Sequence, residues 1–242
     1  MKAQKRFAQG ASINVAYTFA KLLSNTDTLT SWLEAVSGVQ DNNNLSGEKS
    51  LSSSSAPQRL VIAYVYDIPV GRGRAVLANI PRSADYVIGG WGVQGFTTLM
   101  SGFPLGLTDA ANTSNSFGGG QRPNVVAGCN KKKGGSAVSK LNEWFNTACF
   151  TQAPAYTFGN ESKNDSTLKA PGMANWDMGI VKKFPIDKEG RLNLQFRAEF
   201  FNLFNRVQFG VPSTSVGGSG YGQISSQQNL PRVVQFALRL SF

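Results

Sequence analysis

The 242-residue chain contains no histidine and few charged residues. Histidine is the commonest general base, the usual partner of serine and cysteine nucleophiles, and a usual zinc ligand, so its absence excludes most hydrolytic triads and most zinc sites. Charged residues make up 16% of the chain, below the fraction of about a quarter that soluble globular proteins carry. Disorder is excluded too, because disordered chains have few aromatic residues and 11% of this sequence is aromatic. We expect neither an enzyme nor a cofactor site.

Long hydrophobic runs and cysteines are also scarce. No segment approaches the roughly 18 consecutive apolar residues of a transmembrane helix, and the basic N-terminal residues are not followed by the apolar core of a signal peptide. The two cysteines, Cys129 and Cys149, are too few for a disulfide scaffold or a four-thiolate metal site. They form either one bridge or two free thiols, and both alternatives stay open because a disulfide depends on spatial geometry.

What the sequence does contain is an alternation of apolar and polar residues, which is typical of β-strands. Several of these segments reach about ten residues, the length with which a tilted strand crosses a bilayer. Aromatic residues stand near the ends of several apolar faces, as in the girdles of membrane barrels. The predicted strands are 11–19, 60–68, 86–103, 176–184, 192–200 and 234–242.

The connections between the predicted strands alternate in length. Long polar stretches follow the first, third and fifth strands, at 22–58, 104–173 and 205–231. Shorter connections, 69–85 and 186–190, follow the second and fourth. Transmembrane barrels place long extracellular loops on one side and tight periplasmic turns on the other. The sequence therefore predicts an all-β, antiparallel transmembrane β-barrel segment of about six strands.

The alternative fold is a soluble or secreted β-sandwich, for example a carbohydrate-binding module, because sandwich strands also alternate between an apolar and a polar face. In such a module the aromatic residues would line a ligand face instead of a lipid belt. Sandwich strands are usually shorter, about 5–6 residues, and their connections are short. Strand length and loop lengths therefore favour the barrel.

Two basic motifs are candidate sites for anionic partners. Gly71-Arg72-Gly73-Arg74 lacks the rest of any phosphate-binding loop pattern and is interpreted as a basic turn on the periplasmic side. The run Lys131–Lys133 has no interleaved aromatic residues and is interpreted as part of a solvated outer loop. The net charge of +10 would indicate a nucleic-acid partner only if it were clustered, so no nucleic acid is expected.

The polar side of the fifth predicted strand supplies the candidate lumen-facing residues, because charged and amide side chains are tolerated inside a barrel. Arg197 and Glu199 lie two residues apart on that side, and we expect them to pair with neighbouring strands or with a plug. The full set of candidates is Asn193, Gln195, Arg197 and Glu199.

The last predicted strand ends on a phenylalanine, with an apolar residue at every second position before it. It resembles the C-terminal strand of bacterial outer-membrane proteins, which the barrel-assembly machinery recognises. By this resemblance the assembly signal consists of Phe236, Leu238, Leu240 and Phe242.

Other segments resemble the last barrel strands of TonB-dependent outer-membrane receptors, in particular the Oar-like receptors that carry a carboxypeptidase-regulatory-like domain. The resemblance covers nearly the whole chain in the family's order. The segments are 16–21, 64–73, 89–91, 101–104, 144–146, 158–160, 171–172, 175–177, and 197–205 followed by Phe209-Gly210.

The resemblance implies a role in uptake of an unknown ligand at the outer membrane of a Gram-negative-type bacterium. Such receptors have a plug domain inside a barrel of about 22 strands. Residues 1–242 are therefore expected to be the C-terminal part of a receptor barrel, without plug or signal peptide. The implied partners are outer-membrane lipid, the barrel-assembly machinery, the remainder of the receptor and, through it, TonB.

Overall fold

Seven strands form a single antiparallel sheet, in which each strand pairs with its neighbours in chain order. The computed structural model describes residues 1–7, 10–26, 39–116, 120–186 and 192–242. The strands are β1 (Lys2–Phe7), β2 (Ala11–Phe19), β3 (Gln58–Asp67), β4 (Trp91–Met100), β5 (Met173–Pro185), β6 (Asn193–Phe201) and β7 (Val233–Ser241).

The remaining regular elements are short and lie in the connections. The α-helix α1 spans Arg82–Ile88, between β3 and β4. Single 3₁₀ turns are formed by Leu45–Glu48, Val138–Lys140 and Thr147–Cys149. Short strands pair outside the main sheet: Leu23–Ser24 with Ser50–Leu51, Pro104–Leu105 with Asp165–Lys169, Thr108–Asp109 with Ser215–Val216, and Asn124–Val125 with Phe150–Thr151. In the part of the chain that the structure describes, no helix has both the length and the apolar character needed to cross a membrane.

The structure contains all six predicted strands and corrects two features of the prediction. The expected strand 86–103 begins only at Trp91, because α1 occupies Arg82–Ile88 and Gly90 turns the chain with a φ of +72°. The main sheet contains one more strand than the six expected, namely β1. The sequence does not predict β1, because Lys5 occupies the apolar side of this strand and interrupts the alternation of apolar and polar residues.

The strand register separates an apolar face of the sheet from a polar face. Residues that pair across neighbouring strands share a face, and the pairing aligns the apolar positions of β2 to β7. These include Ile13, Val15, Tyr17, Leu60, Ile62, Tyr64, Trp91, Val93, Trp176, Met178, Ile180, Leu194, Phe196, Phe236, Leu238 and Leu240. Within the described residues no second sheet packs against this face, so this part of the chain does not have the two-layer core of a β-sandwich.

Aromatic side chains mark both ends of the apolar face. Tyr66, Trp91 and Phe184 lie near the end with the short connections, and Tyr17 and Trp176 lie near the end with the long loops. Trp176 and Phe184 are both on β5, and the eight residue steps between them correspond to about 27 Å of strand. With the strand tilt of about 40° found in barrels, that distance spans roughly 20 Å across the membrane, close to the usual apolar band.

Lys182 is the one fully buried cation on the described part of the apolar face. Its side chain is buried, with the residue only 2% exposed. The ammonium group donates hydrogen bonds to the carbonyls of Gly89 and Val87, at the end of α1. It also lies 5.2 Å from the ring centroid of Trp91 and 5.0 Å from that of Phe184. The long side chain thus brings its charge to the end of the sheet, where backbone carbonyls receive it.

The buried apolar cluster lies in the loops and not on the sheet. Among the described residues of the sheet, only Val181 and Ala198 are buried apolar side chains. The loop cluster consists of Leu105, Leu107, Phe145, Cys149, Phe150, Leu168, Ala170 and Val216. Cys129 and Cys149 form a disulfide beside it, with 5.5 Å between their Cα atoms, which decides between the two alternatives that the sequence left open.

The sheet is open in this structure. β1 and β7 each pair on one side only, so both leave a row of unpaired backbone groups. The alternation of connection lengths is confirmed: the long loops 20–57, 101–172 and 202–232 leave from one end of the sheet, and the short connections from the other. We name them loop 1, loop 2 and loop 3. In the predicted turn 186–190, residues 187–190 lie outside the described residues.

Candidate functional site

The polar face of the sheet contains a hollow of about 320 Å³. Its lining combines carboxylates, amides and aromatic rings from β1 to β6, which is the composition of a small-molecule site. The lining residues are Gln4, Ser12, Asn14, Ala63, Tyr64, Val65, Gln94, Gly95, Phe96, Asp177, Met178, Gly179, Glu199, Phe200 and Phe201.

Hydrogen bonds fix the main polar group of the hollow. The carboxylate of Asp177 accepts a bond from the backbone N–H of Asn202 and another from the side-chain amide of Asn175, both at 2.8 Å. The amide oxygen of Asn14 is buried and has no partner among the described residues, so it is able to accept a hydrogen bond from a bound group. Phe96, 46% exposed, adds an apolar surface next to these acceptors.

The four residues singled out from the sequence do not form one site. Glu199 lines the hollow, whereas Asn193 and Gln195 lie nearer the short connections, beside a smaller cavity that Lys183 and Arg239 also line. The Arg197 guanidinium is 2.9 Å from the Glu199 carboxylate. This pair forms within β6, and the expected pairing of its members with neighbouring strands or with a plug stays a prediction.

The polar lining contributed by the other strands was not singled out from the sequence. Asn14 and Gln94 each occupy the polar parity of their own strand. That parity was visible in the sequence, but it does not show which polar residues of different strands lie side by side. Only the register brings Asn14, Gln94 and Asp177 to one hollow.

Above the sheet, the described parts of the three long loops pack into one body, which we call the loop assembly. Loop 1 is held to loop 2 by a buried ion pair, Arg122 to Glu48 at 2.5 Å, whose side chains are 8% and 3% exposed. Gln40 joins the same contact, because its amide oxygen accepts the backbone N–H of Arg122 at 2.8 Å. Its amide group donates to the carbonyl of Gly159 at 2.9 Å. Each charge therefore has its partner in the buried contact.

Loop 3 joins loop 2 through backbone pairing and aromatic contact. Ser215–Val216 pairs in parallel with Thr108–Asp109. The rings of Phe145 and Tyr221 meet edge to face, with centroids 5.5 Å apart. Burial, reinforced by the charges of Asp109 and Glu161, raises the pKa of Tyr221 above its ordinary value. Loop 3 is thus anchored in the loop cluster.

Two lysines of the run Lys131–Lys133 form ion pairs. The interpretation of this run as part of a solvated loop is wrong for Lys131, which is mostly buried. The Lys131 ammonium lies 2.8 Å from Glu161 and 2.5 Å from Asp165, and its side chain is 21% exposed. Lys133 pairs with Glu143, and its hydrogen bond lowers the pKa of that carboxyl group.

Lys131, Glu161 and Asp165 form a cluster, which we call the Lys131 cluster, and their charges stabilise one another. Burial favours the neutral forms of Lys131 and Asp165, but the hydrogen bonds that these groups make favour their charged forms more strongly. The pKa of Asp165 is lowered by Lys131 and Thr167, and the pKa of Lys131 is raised by Asp165 and Glu161. The cluster therefore stays charged in neutral solution and ties two parts of loop 2 together.

The Gly71–Arg74 segment is a turn at the short-connection end, as the sequence predicts. Gly71 has a φ of +128°, and the backbone N–H of Arg72 donates to the Asp85 carboxylate at 2.7 Å. The turn borders a cleft of about 600 Å³. The cleft is lined by Asp67, Ile68, Val70, Arg72, Arg74, Arg82, Asp85, Tyr86, Gly89, Gly90, Trp91, Lys183, Ile186 and Asn193. In the described ranges, no three cysteine or acidic side chains come close enough to hold a metal ion.

Comparison with known proteins gives one match. No curated protein and no solved structure matches the chain. The family model described as "Outer membrane beta barrel domain" matches residues 1–235. Nearly the whole chain is covered, and the sheet has the apolar face, the aromatic ends and the alternating loops of such barrels. The chain therefore belongs to the outer membrane beta barrel domain family and is a protein of the bacterial outer membrane.

Proposed function

We propose that this chain forms part of the wall, and the outer loop assembly, of a TonB-dependent receptor of the Oar-like subgroup that imports a ligand through the outer membrane. The observation that supports the proposal is the hollow on the polar face of a membrane sheet, next to the loop assembly. In this function the chain binds and conducts a ligand and performs no catalysis.

The two faces of the sheet support an assignment to lipid and to lumen. An apolar face bordered by aromatic side chains is suited to acyl chains, and a face with amides and charges is suited to a water-filled interior. On this assignment Asn193, Gln195, Arg197 and Glu199 face the lumen. A plug would then lie against the same polar face.

The loop assembly supports an orientation. Barrels have their long loops outside and their short turns in the periplasm. The disulfide Cys129–Cys149 lies in loop 2, and such bridges persist in oxidising surroundings outside the cytoplasm. We therefore place the loop assembly on the extracellular side, where it makes first contact with the ligand.

The open edges support a larger barrel. Unpaired backbone groups in lipid cost several kcal/mol each, and β1 and β7 both have such an edge. Further strands beyond this sheet would pair with them and close the barrel. β7 also presents the apolar side chains that resemble an assembly signal, with Phe236 and Leu238 exposed, which suits recognition by the assembly machinery.

Genetic epistasis tests the receptor role without knowledge of the ligand. The gene, the gene for TonB, and both would be deleted in the bacterium that carries the chain, and growth would be compared on a panel of media that each limit one nutrient. In at least one medium, we expect deletion of the gene for this chain to slow growth, and the double deletion to grow no more slowly than the TonB deletion alone. Additive defects in every affected medium would refute a TonB-dependent role.

Cysteine labelling tests the assignment of the faces and the orientation. Single cysteines would replace Ile180 on the apolar face, Gln94 on the polar face and Lys132 in loop 2, in a background lacking Cys129 and Cys149. We expect a membrane-impermeant maleimide to label position 132 on intact cells, and position 180 to resist labelling until detergent is added. Labelling of position 180 from water would contradict the lipid-facing assignment.

A further inference from the structure

Basic side chains surround the polar face at its short-connection end. Arg6, Lys183 and Arg239 lie on the polar parity of β1, β5 and β7, close to this end of each strand. The connection between β3 and β4 adds Arg72, Arg74 and Arg82 at the cleft. All six side chains are exposed. They extend from one edge of the sheet to the other, and we call them the basic rim.

The basic rim is not neutralised by the acidic groups beside it. Only two carboxylates line the cleft, those of Asp67 and Asp85. Asp67 lies 3.7 Å from Lys183, and Asp85 accepts the backbone N–H of Arg72. Four cations of the basic rim, Arg72, Arg74, Arg82 and Lys183, line the same cleft, so its lining carries a net charge of +2. The segment that joins β5 to β6 contains two acidic and two basic residues, so its composition adds no net charge.

The five arginines of the basic rim have no ion-pair partner in the described part of the chain. No described carboxylate oxygen lies within 4 Å of their guanidinium groups. Elsewhere on the polar face the charges are more nearly balanced, because Arg197 pairs with Glu199, and the hollow is lined by Asp177 and Glu199 and by no lysine or arginine. Positive charge is therefore concentrated at one end of the face.

We propose that the basic rim binds a small multivalent oxyanion, carrying phosphate or carboxylate groups, at the short-connection mouth of the lumen. Guanidinium groups match the geometry of such oxyanions with paired hydrogen bonds. Rings of arginine and lysine set the selectivity of anion pores in the same way. The cleft, at about 600 Å³, has the size of a small-molecule site. This inference rests on the proposed receptor function and assigns the class of its ligand.

Binding of inorganic tripolyphosphate to the purified chain in neutral detergent tests the proposal. Isothermal titration calorimetry measures the binding, and citrate serves as the carboxylate probe. We expect saturable binding that weakens as salt is raised. A unit charge about 4 Å from the anion contributes roughly fivefold to affinity in water, so R72Q/R74Q/R82Q should bind about a hundredfold more weakly.

Two matched variants control for charge and for folding. K49Q/K132Q/K169Q removes three exposed cations from the loop assembly at the opposite end and should bind as the unmodified chain does. R72K/R74K/R82K keeps the charge and should retain affinity within about tenfold, because only the paired geometry is lost. Equal loss of affinity in the loop variant, or no salt-sensitive binding by the unmodified chain, would overturn the proposal.

A lipid arm distinguishes a soluble ligand from a lipid headgroup. The unmodified chain would be placed in nanodiscs of phosphatidylcholine, with or without phosphatidylglycerol, and titrated with tripolyphosphate. We expect the same affinity in both. Strong competition by phosphatidylglycerol would assign the basic rim to lipid and reject a soluble ligand. These binding measurements do not involve TonB. They can therefore reject the oxyanion site while the epistasis experiment supports the receptor role, and the epistasis experiment can reject the receptor role while the binding measurements support the oxyanion site.

Discussion

Reduction of the Cys129–Cys149 disulfide should loosen the loop assembly and leave the sheet intact. The two cysteines are 20 residues apart, and the loss of chain entropy on closing a loop of that size corresponds to about 3 kcal/mol. That energy stabilises loop 2 alone, since both cysteines lie between β4 and β5. The sheet is held by separate backbone pairing along all seven strands.

Hydrogen–deuterium exchange on the oxidised and the reduced chain measures this effect. A loss of 3 kcal/mol corresponds to an increase of about a hundredfold in the exchange rate of loop 2 amides that exchange through opening of the assembly. Amides in β5 and β6 should keep their rates. The variant C129A/C149A is the control, because reductant should leave its rates unchanged. Equal protection of loop 2 in both redox states, or parallel loss in the strands, would refute the reasoning.

Three further predictions concern charge and burial. R122M leaves the carboxylate of Glu48 buried without its partner, which should destabilise the loop assembly by about 3 kcal/mol. Hydrogen–deuterium exchange in loop 1 measures this loss. The double variant R122M/E48Q should recover part of the lost stability. The lowered pKa of Asp165 stabilises the assembly above the ordinary carboxyl pKa and ceases to do so as the pH falls through the lowered value; loop 2 should therefore lose protection in strong acid, and D165N should lack that step. I180R puts a charge on the apolar face and should destabilise the sheet in lipid by about 2–4 kcal/mol, measured by heat-modifiable mobility, whereas Q94R on the polar face should not.

The strands were predictable because their signal is local. Two-residue periodicity within a segment such as 192–200 shows a strand and its apolar side without any knowledge of its neighbours. β1 was missed for the same reason, since one lysine on the apolar side was enough to hide a six-residue pattern. The predicted strand 86–103 includes the last three residues of the helix Arg82–Ile88, because Val87 has the same parity as the apolar positions Trp91 and Val93.

The loop assembly and the composition of the candidate site were not predictable, because both depend on contacts between distant segments. Leu105, Phe145 and Val216 meet in one cluster, but each stands in a short segment with no periodicity of its own. The same applies to the hollow and to the basic rim. The sequence shows a net positive charge, while the strand register shows that Arg6 and Arg239, at opposite ends of the chain, share one end of one face.

The position of the buried cluster implies that the chain has two sources of stability. The sheet buries almost no apolar side chains of its own, so its folding free energy comes from backbone pairing and from contact of the apolar face with lipid. The loop assembly buries an apolar cluster, closes a disulfide and pairs its buried charges, as a small soluble domain does. Changes of lipid or detergent should therefore act on the sheet, and reductant or acid on the assembly.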